Sequence, residues 1–145
     1  MKIATSSDHG GYNLRRDIMA LLDELQIPYE DFGPKNNDSV DYPDYARPVA
    51  EKVASGEFDK GILICGTGIG ISIAANKFKG IRCALVHDVF SAKATRAHND
   101  SNILAMGERV IGFGLAREIV TTWLNTEFEG GRHAARIQKI ADIEE

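Results

Sequence analysis

Cys65 stands directly before Gly66-Thr67-Gly68-Ile69-Gly70, three glycines alternating with two side chains, and directly after the apolar run Gly61-Ile62-Leu63-Ile64. Alternating glycines in a strand-to-helix turn leave several backbone N–H groups uncovered, and the helix that follows adds the positive end of its dipole. Such a turn can hold an anion, or it can be no more than a tight turn. The spacing is not G-x-G-x-x-G, because position 71 is Ile, and no acidic ribose-binding residue stands at the right offset. No Gly-Lys-Ser/Thr follows it either. A dinucleotide cofactor and a Walker-type loop are therefore both disfavoured. A thiol at a helix mouth is favoured as thiolate, which suits proton transfer or nucleophilic attack. The bland alternative is a small hydrophobe closing a strand. Cys83 lies inside the apolar run Cys83-Ala84-Leu85-Val86, and there the bland reading prevails.

The remaining candidates are scattered along the chain. His98, in Arg96-Ala97-His98-Asn99-Asp100, suits general acid or base work, and suits equally a cap at a helix end. It precedes an apolar run, which places it at the same sheet edge as Cys65. Arg132 and Arg136 are four apart and share a helix face; with Arg109 they can clamp a phosphate, or they are ordinary solvated charge. Asp8 and His9 close the first apolar run before Gly10-Gly11, as a polar pair for sugar hydroxyls or as the common turn of an Asp beside a glycine pair. His87 and His133 have no distinct role on sequence grounds.

The elements that must position these residues follow from periodicity. Lys2 to Ser6, Tyr29 to Phe32, Gly61 to Ile64, Cys83 to Val86 and Ile103 to Met106 read as five strands. Leu14, Ile18, Leu21, Leu22 and Leu25 mark a first helix that stops near Pro28, and a second runs from about Pro43 to Ala54. Further helices follow over Ile71 to Lys77, Val89 to Ala97, Leu115 to Leu124 and Ala134 to Glu145, while Gly33 to Tyr42 is a polar loop. Strand and helix alternating through short connections predict an α/β fold. Its form is an open five-stranded parallel sheet with helices on both faces, in a single domain over residues 1–145. Ligands in such sheets bind beyond the carboxyl ends of the strands. Asp8 and His9, the Cys65 turn, and Gly107 to Arg109 all fall there.

Composition sets outer bounds. The chain has 145 residues, 43% of them hydrophobic, and a formal net charge of -4, which speaks against nucleic acid as a partner. Two cysteines without C-x-x-C or paired histidine spacing suggest neither a disulfide framework nor a zinc site, so no metal is expected. The start MKIATSSDHGG has no signal-peptide apolar region, and no apolar run nears the ~20 residues that cross a bilayer, so no membrane association and a cytoplasmic address are expected.

Taken together, Asp8-His9-Gly10-Gly11, Asp41-Tyr42-Pro43, Gly61 through Lys77 (GILICGTGIGISIAANK), His98-Asn99-Asp100 and Gly131-Arg132-His133 resemble the ribose-5-phosphate isomerase B family. That group also holds galactose-6-phosphate isomerase subunits and allose-6-phosphate isomerases. The resemblance implies a Rossmann/flavodoxin-like sheet and metal-free aldose–ketose isomerisation of a sugar phosphate through a cis-enediol, without a cofactor. It further implies that Cys65 is the base and His98 the acid that opens the sugar ring, with Thr67 and Asp8 near the ring oxygens. The amides of Gly66, Gly68, Ile69 and Gly70 become the enediolate cradle, Asn99 a substrate contact, and Arg109, Arg132 and Arg136, with His9, the phosphate clamp. It implies a homodimer, with tetramers open, whose sites lie at the subunit interface. Ribose 5-phosphate is the first-choice substrate. A six-carbon sugar phosphate is the nearest rival; a non-catalytic sugar-phosphate binding module and a flavodoxin-like nucleotide module are rivals of other classes.

Overall fold

The computed structural model describes residues 1–144. Among them, strands β1 (Ile3–Ser7), β2 (Tyr29–Asp31), β3 (Lys60–Cys65), β4 (Cys83–Leu85) and β5 (Ile103–Gly107) form one sheet in the order β2-β1-β3-β5-β4. Every pairing is parallel. The helices are α1 (Tyr12–Glu24), α2 (Tyr42–Ala54), α3 (Ile69–Ala75), α4 (Val89–Asn99), α5 (Phe113–Leu124) and α6 (Arg132–Ile143). Tyr42, expected in the loop, is the first residue of α2, because Pro43 is at home in the first helical turn. The last helix starts two residues earlier than Ala134, and Glu145 lies outside the described residues.

The central strands are buried on both faces, which is why β3 and β5 read as unbroken apolar runs. Alternate side chains serve different layers. Ile62, Ile64, Leu104 and Met106 pack with α1 and α5, where Trp123 is fully buried. Leu63, Cys65, Ile103 and Ala105 pack with α2 and α3. From β1 the chain turns one way to β2 and later the other way to β3, which opens a crevice beyond their carboxyl ends. Buried Arg15 of α1 braces the crevice: it donates to Ser7 Oγ at the end of β1 and to the carbonyl of Pro34 in the loop beyond β2.

One expectation is reversed. His98 does not share an edge with Cys65. A helix that links parallel strands must run back against them, so α4 leaves the carboxyl edge after β4 and ends at the amino edge. Residues that precede a strand enter at its start. Asn102, just past this helix end, accepts from the N–H of Gly61, one residue into β3 (2.9 Å). In register Gly61 lies beside Ile103 and Cys65 beside Gly107, four steps or ~13 Å farther along.

Candidate active site

At the carboxyl edge the structure brings together Asp8, His9, Cys65 to Gly70 and Arg109. The Cys65 thiol is buried and accepts an N–H bond from Gly68 at 3.1 Å. Gly68 has φ 76, a left-handed conformation, and a Cβ there would sit 2.6 Å from Leu85 and 2.8 Å from the backbone of Met106. Thr67 is exposed and its hydroxyl accepts from Ile69 N–H (3.2 Å), a local turn just ahead of α3. Among the described residues, no protein acceptor takes the N–H groups of Gly66 or Gly70. The carbonyls of Cys65 and Gly66 accept from the amides of Glu108 and Arg109, both at 3.0 Å, so the turn after β5 is stitched to the glycine turn. The Arg109 side chain lies along Gly66, 3.4 Å from where a Cβ would stand.

Asp8 spends one oxygen, Oδ1, on the amides of Gly10 (2.8 Å) and Gly11 (3.2 Å), capping a single 3-10 turn over His9–Gly11. That turn presses on the glycine loop: a Cβ on Gly10 would reach the Gly66 nitrogen at 3.0 Å. His9 accepts the Val40 N–H at Nδ1 (3.1 Å), which fixes Nε2 as the protonated nitrogen and a free donor when the ring is neutral.

At the amino edge a second group assembles around α6. His98 and Asn99 end α4, and Arg132 and Arg136 lie in the first half of α6, packed beside it. The rings of His98 and His133 stack with centroids 4.4 Å apart, and Glu129 Oε1 lies 3.9 Å from His98 Nε2 and 3.5 Å from His133 Nε2. Burial, then the neighbouring His98 and Arg132, hold the His133 pKa below the ordinary histidine value. The three-arginine clamp is thus divided within one chain: Arg109 at one edge, Arg132 and Arg136 at the other.

Three features escaped the sequence. Tyr42 lays its ring on Gly70, where a Cβ would be 2.7 Å from the ring; its place beside Asp41 and Pro43 was the only hint. His87 accepts the Gly107 N–H at Nε2 (3.0 Å) and so holds the end of β5 against the backbone of Thr67. Burial, offset in part by Asp88, keeps the His87 pKa low and its ring neutral. Glu129 is four residues before His133, a spacing that carries signal only once His98 is known to lie beside it. Cys83 begins β4 and burial pushes its thiol up to about 12, in keeping with an inert thiol. Among the described residues, the one group of three potential metal-ligating side chains is His98, Glu129 and His133, not the Cys65 turn.

This arrangement can draw a proton from carbon and share the resulting charge among amides. A family model described as Ribose/Galactose Isomerase matches residues 3–140. A putative sugar phosphate isomerase of Bacillus subtilis is 71% identical, covering 100% of this chain and 98% of its own. The solved ribose-5-phosphate isomerase B of Clostridium thermocellum superposes with a TM-score of 0.98 at 58% identity, covering 99% of this chain and 97% of its own. That of Mycoplasma genitalium, solved with bound ribulose-5-phosphate, has a TM-score of 0.96 at 42% identity, covering 99% and 95%. With the parallel sheet, the Cys65 turn and the whole length of the chain in agreement, the protein belongs to the ribose/galactose isomerase family.

Proposed function

We propose that this chain interconverts ribose 5-phosphate and ribulose 5-phosphate through a cis-enediol. The observation that carries the proposal is the Gly68 N–H on the Cys65 sulfur (3.1 Å) beside the Gly66 and Gly70 amides, which no acceptor takes among the described residues. Cys65 as thiolate takes the C2 proton of the open aldose; the electrons of that C–H bond form the enediolate, and its oxygen draws on the amides of the glycine turn. Return of the proton to C1, with transfer of the hydroxyl proton from O2 to O1, leaves the ketose. Each well-aimed amide supplies roughly 3–4 kcal/mol of transition-state stabilisation. Thr67 and Asp8 serve the ring oxygens, and His9 and Arg109 meet the phosphate.

His98, the ring-opening acid, Asn99 and the phosphate-binding Arg132 and Arg136 reach this crevice from a second copy of the chain. The fold supports that assignment, because one chain holds the two groups at opposite edges of its sheet. Exposed apolar side chains offer an interface: Phe90 on α4 is 81% exposed, with Ile69 and Ile73 of α3 and Leu85 of β4 also open. Two free thiols fit a reducing cytosol, and no described helix is long and apolar enough to cross a membrane. The ribulose-5-phosphate in the Mycoplasma genitalium relative supports the five-carbon substrate. The galactose in the family's description favours a second reading, a six-carbon sugar phosphate.

A substrate panel in heavy water tests both. Ribose 5-phosphate should turn over with solvent deuterium entering the product. Cys65→Ala should lower kcat by ~10²–10⁴-fold with substrate binding retained. Undiminished turnover in that variant removes Cys65 from the mechanism, and a six-carbon substrate preferred by more than about tenfold in kcat/KM replaces the substrate.

A further inference from the structure

Two imidazoles and a carboxylate converge at the amino edge, and among the described residues no hydrogen bond joins them. Nε2 of His98 and Nε2 of His133 lie 3.9 and 3.5 Å from the same oxygen, Glu129 Oε1, longer than a hydrogen bond between such groups. One ligand atom from each of the three falls within 4.8 Å of the others. The frame around them is firm. The Glu129 amide donates to the Ala97 carbonyl of α4 (3.0 Å), and His133 is buried at the start of α6.

We propose that His98, Glu129 and His133 form a binding site for a divalent cation of the zinc type. Zinc bonds of about 2.0–2.1 Å to nitrogen and oxygen set tetrahedral ligand atoms ~3.3 Å apart, so the carboxylate–imidazole separations of 3.5 and 3.9 Å need closure of only ~0.2 and ~0.6 Å. The two rings are within 15° of parallel and cannot aim their lone pairs at one ion as they stand. His98, about half exposed, supplies the remaining movement by turning about χ2, whereas His133 is held. Imidazole and carboxylate together select zinc, nickel or copper over magnesium and calcium. A cavity of about 270 Å³ lined by Phe90, Lys93, Ala94, Ala97, His98 and Glu129 leaves room for a water in the fourth position. Lys93, Arg132 and Arg136 are the nearby cations, and they hold the affinity below that of a structural zinc site. The ligands come from three separate segments, so no local motif announces them.

Resting on the proposed role of His98, the occupied site is inhibitory, because a ring bound through Nε2 has no proton there to give the sugar. Zinc titrated into the full-length protein against a chromogenic chelator should bind one ion per chain, and Glu129→Gln should weaken it by at least about tenfold. Cys65→Ser should bind zinc as the parent does, and cobalt in place of zinc should show no thiolate-to-metal charge-transfer band. No binding, equal affinity in Glu129→Gln, or loss of binding in Cys65→Ser overturns the site. Metal-free Glu129→Gln should keep parental activity and resist zinc at concentrations that silence the parent. Binding without inhibition would keep the site and overturn the role given to His98.

Discussion

The neutral ring of His87 is what receives the Gly107 amide, and protonation would replace that acceptor with a donor. Burial sets its folded pKa below the unfolded value near 6.5, so between the two values the unfolded chain holds the extra proton. Stability is then unaffected by this group above about pH 6.5 and falls as the pH drops through that window toward the folded value. His133, lowered chiefly by burial, acts in the same direction. Urea unfolding midpoints across pH 5 to 8 should be level at the upper end and decline at the lower. His87→Gln, which keeps an acceptor but cannot titrate, should shallow that decline; a decline of unchanged slope would remove His87 as its source.

The glycine turn and the strands that carry it make the sharpest demand on sequence. At Gly68 a side chain meets both a positive φ and backbone at 2.8 Å, so Gly68→Ala should lose roughly 1–3 kcal/mol in urea unfolding and disturb the amide that faces Cys65. The edge strand is guarded differently: the Asn76 side chain donates to the Cys83 carbonyl (2.9 Å) and accepts from its amide (2.8 Å), standing in for a missing neighbour strand. Asn76→Ala should destabilise by about 1–2 kcal/mol, read in the same way. These features show why part of the molecule was legible in advance. The apolar runs of β3 and β5 betray strands buried on both faces, and the Cys65 turn is written in six consecutive residues. Strand ends shifted by a residue or so because backbone pairing, not side-chain type, decides where a ladder stops. The residue types of His98, Asn99, Arg132 and Arg136 were legible, but their location was not. It depends on the direction α4 must run between two parallel strands. Tyr42 and Glu129 matter only through neighbours distant in sequence.

On the proposed reading each end of the molecule carries half of an active site, and mixing inactive subunits tests it. Pair a Cys65→Ala chain with a His98→Ala chain. One site of the mixed dimer gathers both lesions and the other gathers none. Random pairing of equal amounts should restore about a quarter of parental activity from two silent proteins. No recovery after the subunits have demonstrably exchanged would place His98 outside the partner's site. Phe90→Glu, on the same helix as His98, should shift the protein to monomers in sedimentation and silence it while circular dichroism stays unchanged. The direction of α4 also reaches beyond any one pair of molecules. If the proposed sharing of sites holds, a chain just released from the ribosome is mute until it meets its twin, so at low abundance output climbs with the square of the number of chains and becomes proportional only once pairing saturates. Halving expression in a sparse cell would remove more than half of the flux.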